Sequence, residues 1–145
     1  MTFHDVRRYL LSKPEAQEDF PFGLPVAVMK IQSKMFATLA EKNGVVSMNL
    51  KCDPHEALIL RDIFPAVKPG YHMNKRHWNT VVFDSSIPRG EIERMVDNSY
   101  ALVVRGLRKA ERYALEVRHG RVALYANAVE GAFSVNLHAA LKFGL

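Results

Sequence analysis

At 145 residues, 48% hydrophobic and 24% charged, the chain has apolar material for one packed core and sits near the usual single-domain size. A formal charge of +5 and a pI near 9.5 permit attraction to a polyanion, although such totals bear on encounter and solubility rather than fold. The single cysteine, Cys52, excludes an intrachain disulfide and a four-cysteine zinc site, and no run of about 18 apolar residues is present to span a bilayer. The first residues also lack the basic-then-apolar order of a secretory signal. A cytoplasmic protein with no membrane contact is expected.

Thr2 followed by Asp5 has the spacing of a capping box, and Val6, Tyr9 and Leu10 recur at helical period, so a first helix is predicted from Phe3 to Ser12. Pro14, Pro21, Gly23 and Pro25 break the next stretch, which Glu15, Glu18 and Asp19 make acidic; it reads as an ordered connecting loop. Three β-rich runs follow, Val26 to Ile31, Met35 to Ala40 and Val45 to Leu50. Their connections are of hairpin length, and Asn43-Gly44 suits the positive φ of a tight turn, so the runs form an antiparallel meander. Asp53-Pro54 opens a second helix whose Ala57 to Phe64 is apolar enough to lie on a sheet, and Pro65 stops it. Trp78 to Phe83 is a buried strand, with Gly70 to Met73 as its hairpin partner. Ser85 or Ser86 caps a long helix entered through Pro88 and running to about Lys109 or further, with Ile92, Met95, Val96, Ser99 and Val103 on one face. Beyond residue 120, Val122, Leu124 and Ala126, then Phe133, Val135 and Leu137, alternate as a weak hairpin. A helix over Phe133 to Phe143 is nearly as consistent with the pattern.

Charge is concentrated in two places. Lys68-Pro-Gly-Tyr-His-Met-Asn-Lys-Arg-His-Trp78 carries three formal cations and two histidines, with no acidic residue between Asp62 and Asp84. Residues 105 to 121 carry six cations against Glu111 and Glu116, as a solvated helix end would, since cations suit the negative end of the helix dipole.

The order of elements, together with Pro21-Phe22-Gly23, His72-Met-Asn74-Lys75, His77-Trp78 and Asp97-Asn-Ser-Tyr100-Ala-Leu-Val-Val104, closely resembles the MmcQ/YjbR family over roughly residues 2 to 112. The resemblance implies an α+β fold with a frataxin-like (CyaY-like) antiparallel sheet: N-terminal helix, three-stranded meander, helix, a further strand or hairpin, and a long helix. It also implies DNA as a partner, since members are commonly described as DNA-binding. Residues 1–119 form the family-like domain, and residues 120–145 an atypical hydrophobic extension beyond it.

For nucleic-acid binding, Lys75 and Arg76 meet phosphates, Asn74 meets a base edge or sugar, and His72, His77 and Lys68 flank them. Arg105, Arg108 and Lys109 extend this surface if the long helix ends beside it. Tyr71 and Trp78 are able to stack on bases, but packing inward with Met73 is the expected state for such rings. No metal site is expected, because five-residue spacing of His72 and His77 matches no ligand signature, and the first helix lacks the acidic ridge an iron-binding analogy needs. Cys52 beside His55 at a helix start has the setting of a reactive thiol, but a small apolar residue at the sheet margin is the expected role. Glu91 and Glu93 point to different helix faces and form no acid/base pair, and no nucleophile-elbow or phosphate-loop motif occurs. The expectation is a non-enzymatic, cofactor-free nucleic-acid-binding protein. The alternative is a protein-interaction or small anionic-ligand module that homodimerises through its C-terminal extension.

Overall fold

The computed structural model describes residues 1–126. Its first helix, α1 (Phe3–Leu11), starts as the sequence suggests: Asp5 N–H donates to Thr2 Oγ1 at 3.1 Å and Thr2 N–H to Asp5 Oδ2 at 2.9 Å. The connection after it, read as a loop, contains a short strand, β1 (Gln17–Asp19). These residues are weak strand formers, and the pairing comes from neighbours. Arg7 forks onto Glu18 at 2.8 and 2.6 Å, and Lys30 holds Asp19 at 2.9 Å.

The meander is present as β2 (Ala27–Ile31), β3 (Lys34–Lys42) and β4 (Val45–Lys51). Asn43 and Gly44 have φ of 53° and 78°, and Gln32 and Ser33 have 49° and 65°, so both two-residue loops take the left-handed backbone that matches strand twist. Register shifts in the first hairpin: Lys30 faces Met35 but Met29 faces Ala37. The extra residue, Phe36, turns into the core and meets Tyr100 edge to face, with ring centroids 5.3 Å apart.

Asp53 caps α2 (Pro54–Ile63) by accepting from His55 and Glu56 N–H at 3.0 and 3.3 Å. The strand paired with β6 (Trp78–Val82) is not Gly70–Met73 but β5 (Val67–Pro69), just before it. Gly70 N–H still bonds Trp78 O, but Tyr71 N–H turns to the Thr80 hydroxyl and ends the ladder. The result is an α+β fold with one six-stranded antiparallel sheet, ordered β1-β2-β3-β4-β6-β5.

Helices cover one face of this sheet. The third, α3 (Arg89–Arg105), has Pro88 rather than a serine at its N-cap, because Asp84 holds both the amide and hydroxyl of Ser86. Gly106 ends it short of Lys109, and a separate α4 (Lys109–His119) and α5 (Arg121–Tyr125) follow. The stretch Asp97–Tyr100 is a row of buried ties. Asp97 accepts from Tyr9 at 2.7 Å and Lys13 at 2.8 Å, and Asn98 donates to Glu56 at 3.2 Å. Ser99 donates to Phe36 O and accepts from Lys51 N–H, and Tyr100 donates to Pro14 O at 2.6 Å. Residues 121–125 are helical rather than extended, and Leu124, past the expected boundary at 119, is fully buried in the same core. The alternatives for residues 133–143 lie outside the described residues. Among the described residues, no helix is long and apolar enough to cross a membrane.

Candidate functional site

Opposite the helices, the sheet carries a polar row set by register. Thr38, Asn49, Thr80 and Lys68 face one another across β3, β4, β6 and β5. Asn49 donates through Nδ2 to Thr38 Oγ1 at 3.0 Å and accepts from the Thr80 hydroxyl, which in turn accepts from Tyr71 N–H at 2.9 Å. This chain fixes where the 70–77 loop begins. The loop closes through His77, whose N–H donates to Asn74 O at 3.1 Å and whose carbonyl accepts from Cys52 N–H at 2.8 Å. Arg61 on α2 braces it from behind, donating to Asn79 Oδ1 at 2.7 Å and to the carbonyl of Lys75.

The loop presents different chemistry on its two sides. Towards the sheet, Tyr71, His72 and Met73 form one wall of a groove of about 600 Å³, whose floor is Thr38, Ala40, Ser47 and Asn49 and whose far wall is Phe22. Towards α2, Lys75 and Arg76 line a cleft of about 480 Å³ with His55, Leu58 and Arg61. No carboxylate lines either space among the described residues. His72 has a left-handed φ of 58°, and its ring lies 4.0 Å from that of Tyr71, so this backbone turn sets the paired rings on the groove side.

The aromatics differ from expectation. Tyr71 is 68% exposed, and neither Trp78 nor Met73, both half-buried, belongs to the hydrophobic core. For Trp78 strand parity explains this: it lies opposite Lys51, on the side away from the helices. A Cβ on Gly70 would come within 2.8 Å of Trp78 Cβ, so only glycine permits that approach. Asn74 is partly committed, since its Oδ1 accepts from Arg76 N–H at 3.0 Å in a local turn. Lys75 Nζ donates to Gly70 O at 3.1 Å and Lys68 Nζ lies 3.4 Å from Pro65 O, whereas no described residue bonds the Arg76 guanidinium.

Six of the expected residues, Lys68, His72, Asn74, Lys75, Arg76 and His77, thus sit on or beside one loop. Arg105, Arg108 and Lys109 do not join them. Arg105 stacks on Tyr125 at 4.9 Å, Arg108 pairs with Glu111 at 3.3 Å, and the other described residues of the cleft Arg105 lines belong to α4 and α5. At its far end α4 is tied to Glu15, beside β1, by Arg118 and His119 at 2.7 and 2.6 Å. That is the edge of the sheet opposite β5. His55, Arg61 and Phe22 were not singled out as binding residues from sequence. His55 and Arg61 lie on a helix and Phe22 in a distant loop, and only chain topology places them here. Cys52 is 4% exposed, and burial, with Glu56 and Asp53 nearby, pushes its thiol up to about 12, as suits a packing residue. Among the described residues, no group of three histidine, cysteine or carboxylate side chains is placed to hold a metal ion.

One sheet layer, one helical layer and an uncovered sheet face bordered by a basic loop define a small two-layer α+β protein. The YjbR family model matches residues 11–102, and the chain belongs to that family. It is 39% identical to the uncharacterized protein YbdF of Escherichia coli O157:H7 over 106 residues, covering 73% of this chain and 87% of that one. It is 32% identical to the uncharacterized protein YjbR of Escherichia coli K12 over 115 residues, covering 79% and 98%. Among solved structures, protein DR2400 of Deinococcus radiodurans superposes with a TM-score of 0.74 at 32% identity, covering 90% of this chain and 94% of that one. A Pseudomonas syringae protein superposes at 0.63 and 29% identity, covering 70% and 98%.

Proposed function

We propose that the chain is a non-enzymatic, cytoplasmic nucleic-acid-binding protein whose contact surface is the 70–77 loop on a CyaY-like sheet. One observation carries the reading: Lys75 and Arg76 share a carboxylate-free cleft with His55 and Arg61, and the exposed Tyr71 and His72 rings stand on the other side of the same loop. The cations meet phosphates, and each one neutralised releases counterions. The rings offer a platform for an unpaired base, which favours single strands or frayed ends over intact duplex. Arg61 braces the loop, its Nε donating to Asn79 and its Nη2 to the carbonyls of Lys75 and Trp78. The resemblance to proteins described as DNA-binding supports the same reading. The dimer contact expected of residues 120–145 falls largely outside the described residues.

Fluorescence anisotropy with labelled single-stranded and duplex oligonucleotides over a salt series tests this. Binding is expected to weaken as salt rises. Lys75→Ala with Arg76→Ala is expected to lower affinity and to reduce the slope of log K against log salt by about 1.4 for a single strand, two phosphates at about 0.7 each. Salt-independent binding, or none to either form, overturns the proposal.

A further inference from the structure

We propose a second site, separate from the cationic cleft: the groove on the open sheet face binds a small, planar aromatic anion. The volume of about 600 Å³ falls in the range of small-molecule pockets and holds a fused ring pair with an acidic substituent. Rings line it: Phe22, 75% exposed, and Tyr71 with His72 offer faces against which a flat ligand packs.

The floor is rich in donors. Asn49 gives one N–H to Thr38 Oγ1 and its carbonyl is met by Thr80, so the second N–H of its amide is unspent. Thr38 accepts in that bond, which leaves its own hydroxyl proton to donate, and the Ser47 hydroxyl has no described partner. Lys42 is the one formal charge among the described lining residues. A cation, three donors and no carboxylate complement the oxygens of a carboxylate or sulfonate, while the apolar remainder takes the ring. Cations would meet Lys42 unpaired, and a purely aliphatic chain would leave the polar floor unsatisfied.

The inference does not rest on nucleic-acid binding: the groove shares the Tyr71 and His72 rings with that surface, whereas Phe22, Lys42 and the sheet floor are its own. The probe is 2-naphthoate, followed by amide chemical shifts of the ¹⁵N-labelled full chain, with neutral 2-naphthalenemethanol as the comparison. Saturable one-to-one binding is expected, with shifts confined to Thr38–Asn49, Tyr71–Met73 and the Phe22 loop. Ala40→Trp, which fills the groove from its floor, should abolish it. Phe22→Ala, on an exposed loop and harmless to folding, should weaken it about 5-fold or more through lost ring contact. Lys42→Ala should remove the preference for the anion over the alcohol, and Arg76→Ala, whose guanidinium no described residue bonds, should change nothing. Absence of saturation, equal binding of the neutral alcohol by the parent protein, or naphthoate binding that survives both Ala40→Trp and Phe22→Ala overturns the proposal. So does loss of oligonucleotide affinity in Lys42→Ala and Phe22→Ala that matches their loss of naphthoate, because the groove's own residues would then belong to the nucleic-acid surface.

Discussion

Glu56 illustrates how single residues are set against their surroundings. It is almost fully buried in the first turn of α2, and burial, with Asp53 adding to it, raises its carboxyl above the ordinary range despite the N–H from Asn98 and the charge of Arg94. A folded-state value above the unfolded one means the favourable contribution is complete below about 4.5 and is lost as pH rises through the folded value. Glu56→Gln keeps an acceptor for Asn98 and removes the buried charge. Thermal melts are therefore expected to show a higher Tm for the variant at neutral pH and no difference below about pH 4.5. Gly70 is set by a different constraint. Its Cβ position is occupied by Trp78 Cβ and by the Trp78 carbonyl at 2.9 Å, both on a paired strand that cannot move freely. Gly70→Ala should cost about 1–3 kcal/mol in denaturant unfolding and shift the amides of the whole 70–77 loop. An unchanged midpoint would mean that the loop does not pack on Trp78.

At the level of elements, the two tight hairpins are built alike but from different residues. The β3–β4 turn has Asn43-Gly44, which adopt positive φ readily, whereas the β2–β3 turn places Gln32 and Ser33 there. Replacing them by Gln32→Asn and Ser33→Gly should stabilise the protein by about 1 kcal/mol, read from the urea midpoint. A second prediction concerns how α4 docks. Arg118 and His119 bond Glu15 and hold its carboxyl at about 2, well below its ordinary 4.5. The stability this adds is present above about 4.5 and disappears as pH falls through about 2. Glu15→Gln should therefore melt lower than the parent at pH 6, with the gap closing by about pH 2.

These elements also show what the sequence makes legible. Thr2 with Asp5, Asp53-Pro54 and Asn43-Gly44 are local chemistry, and the structure uses them at those positions. β1 was hidden, because Gln17-Glu18-Asp19 becomes a strand only by pairing with β2. The Phe36 bulge was hidden too, since nothing local marks which residue is extra. Hydrophobicity misled for Tyr71, whose environment is set by a loop turn and not by its ring. The groove, with one wall at Phe22 and the other at Tyr71, is a product of strand order, which no local pattern carries.

Across the whole molecule, positive charge divides into separate surfaces. The cations of the 70–77 loop lie by the β5 edge, while the basic α4 segment is tied down beside β1 and is in part neutralised by Glu15, Glu111 and Glu116. Arg108→Ala is accordingly expected to leave oligonucleotide affinity and its salt slope unchanged where the Lys75 and Arg76 changes reduce both. An equal loss in all three would place a single polyanion path across the molecule. The sheet's outer strands have a consequence of their own. Each is three residues long, one carrying Glu18 and Asp19 and the other ending on Pro69, which has no N–H to give. Another chain finds almost no ladder to extend at either margin, so backbone-mediated aggregation is blunted on both flanks. Among the described residues, side-chain surfaces rather than strand edges are therefore the favoured contacts for copies that associate.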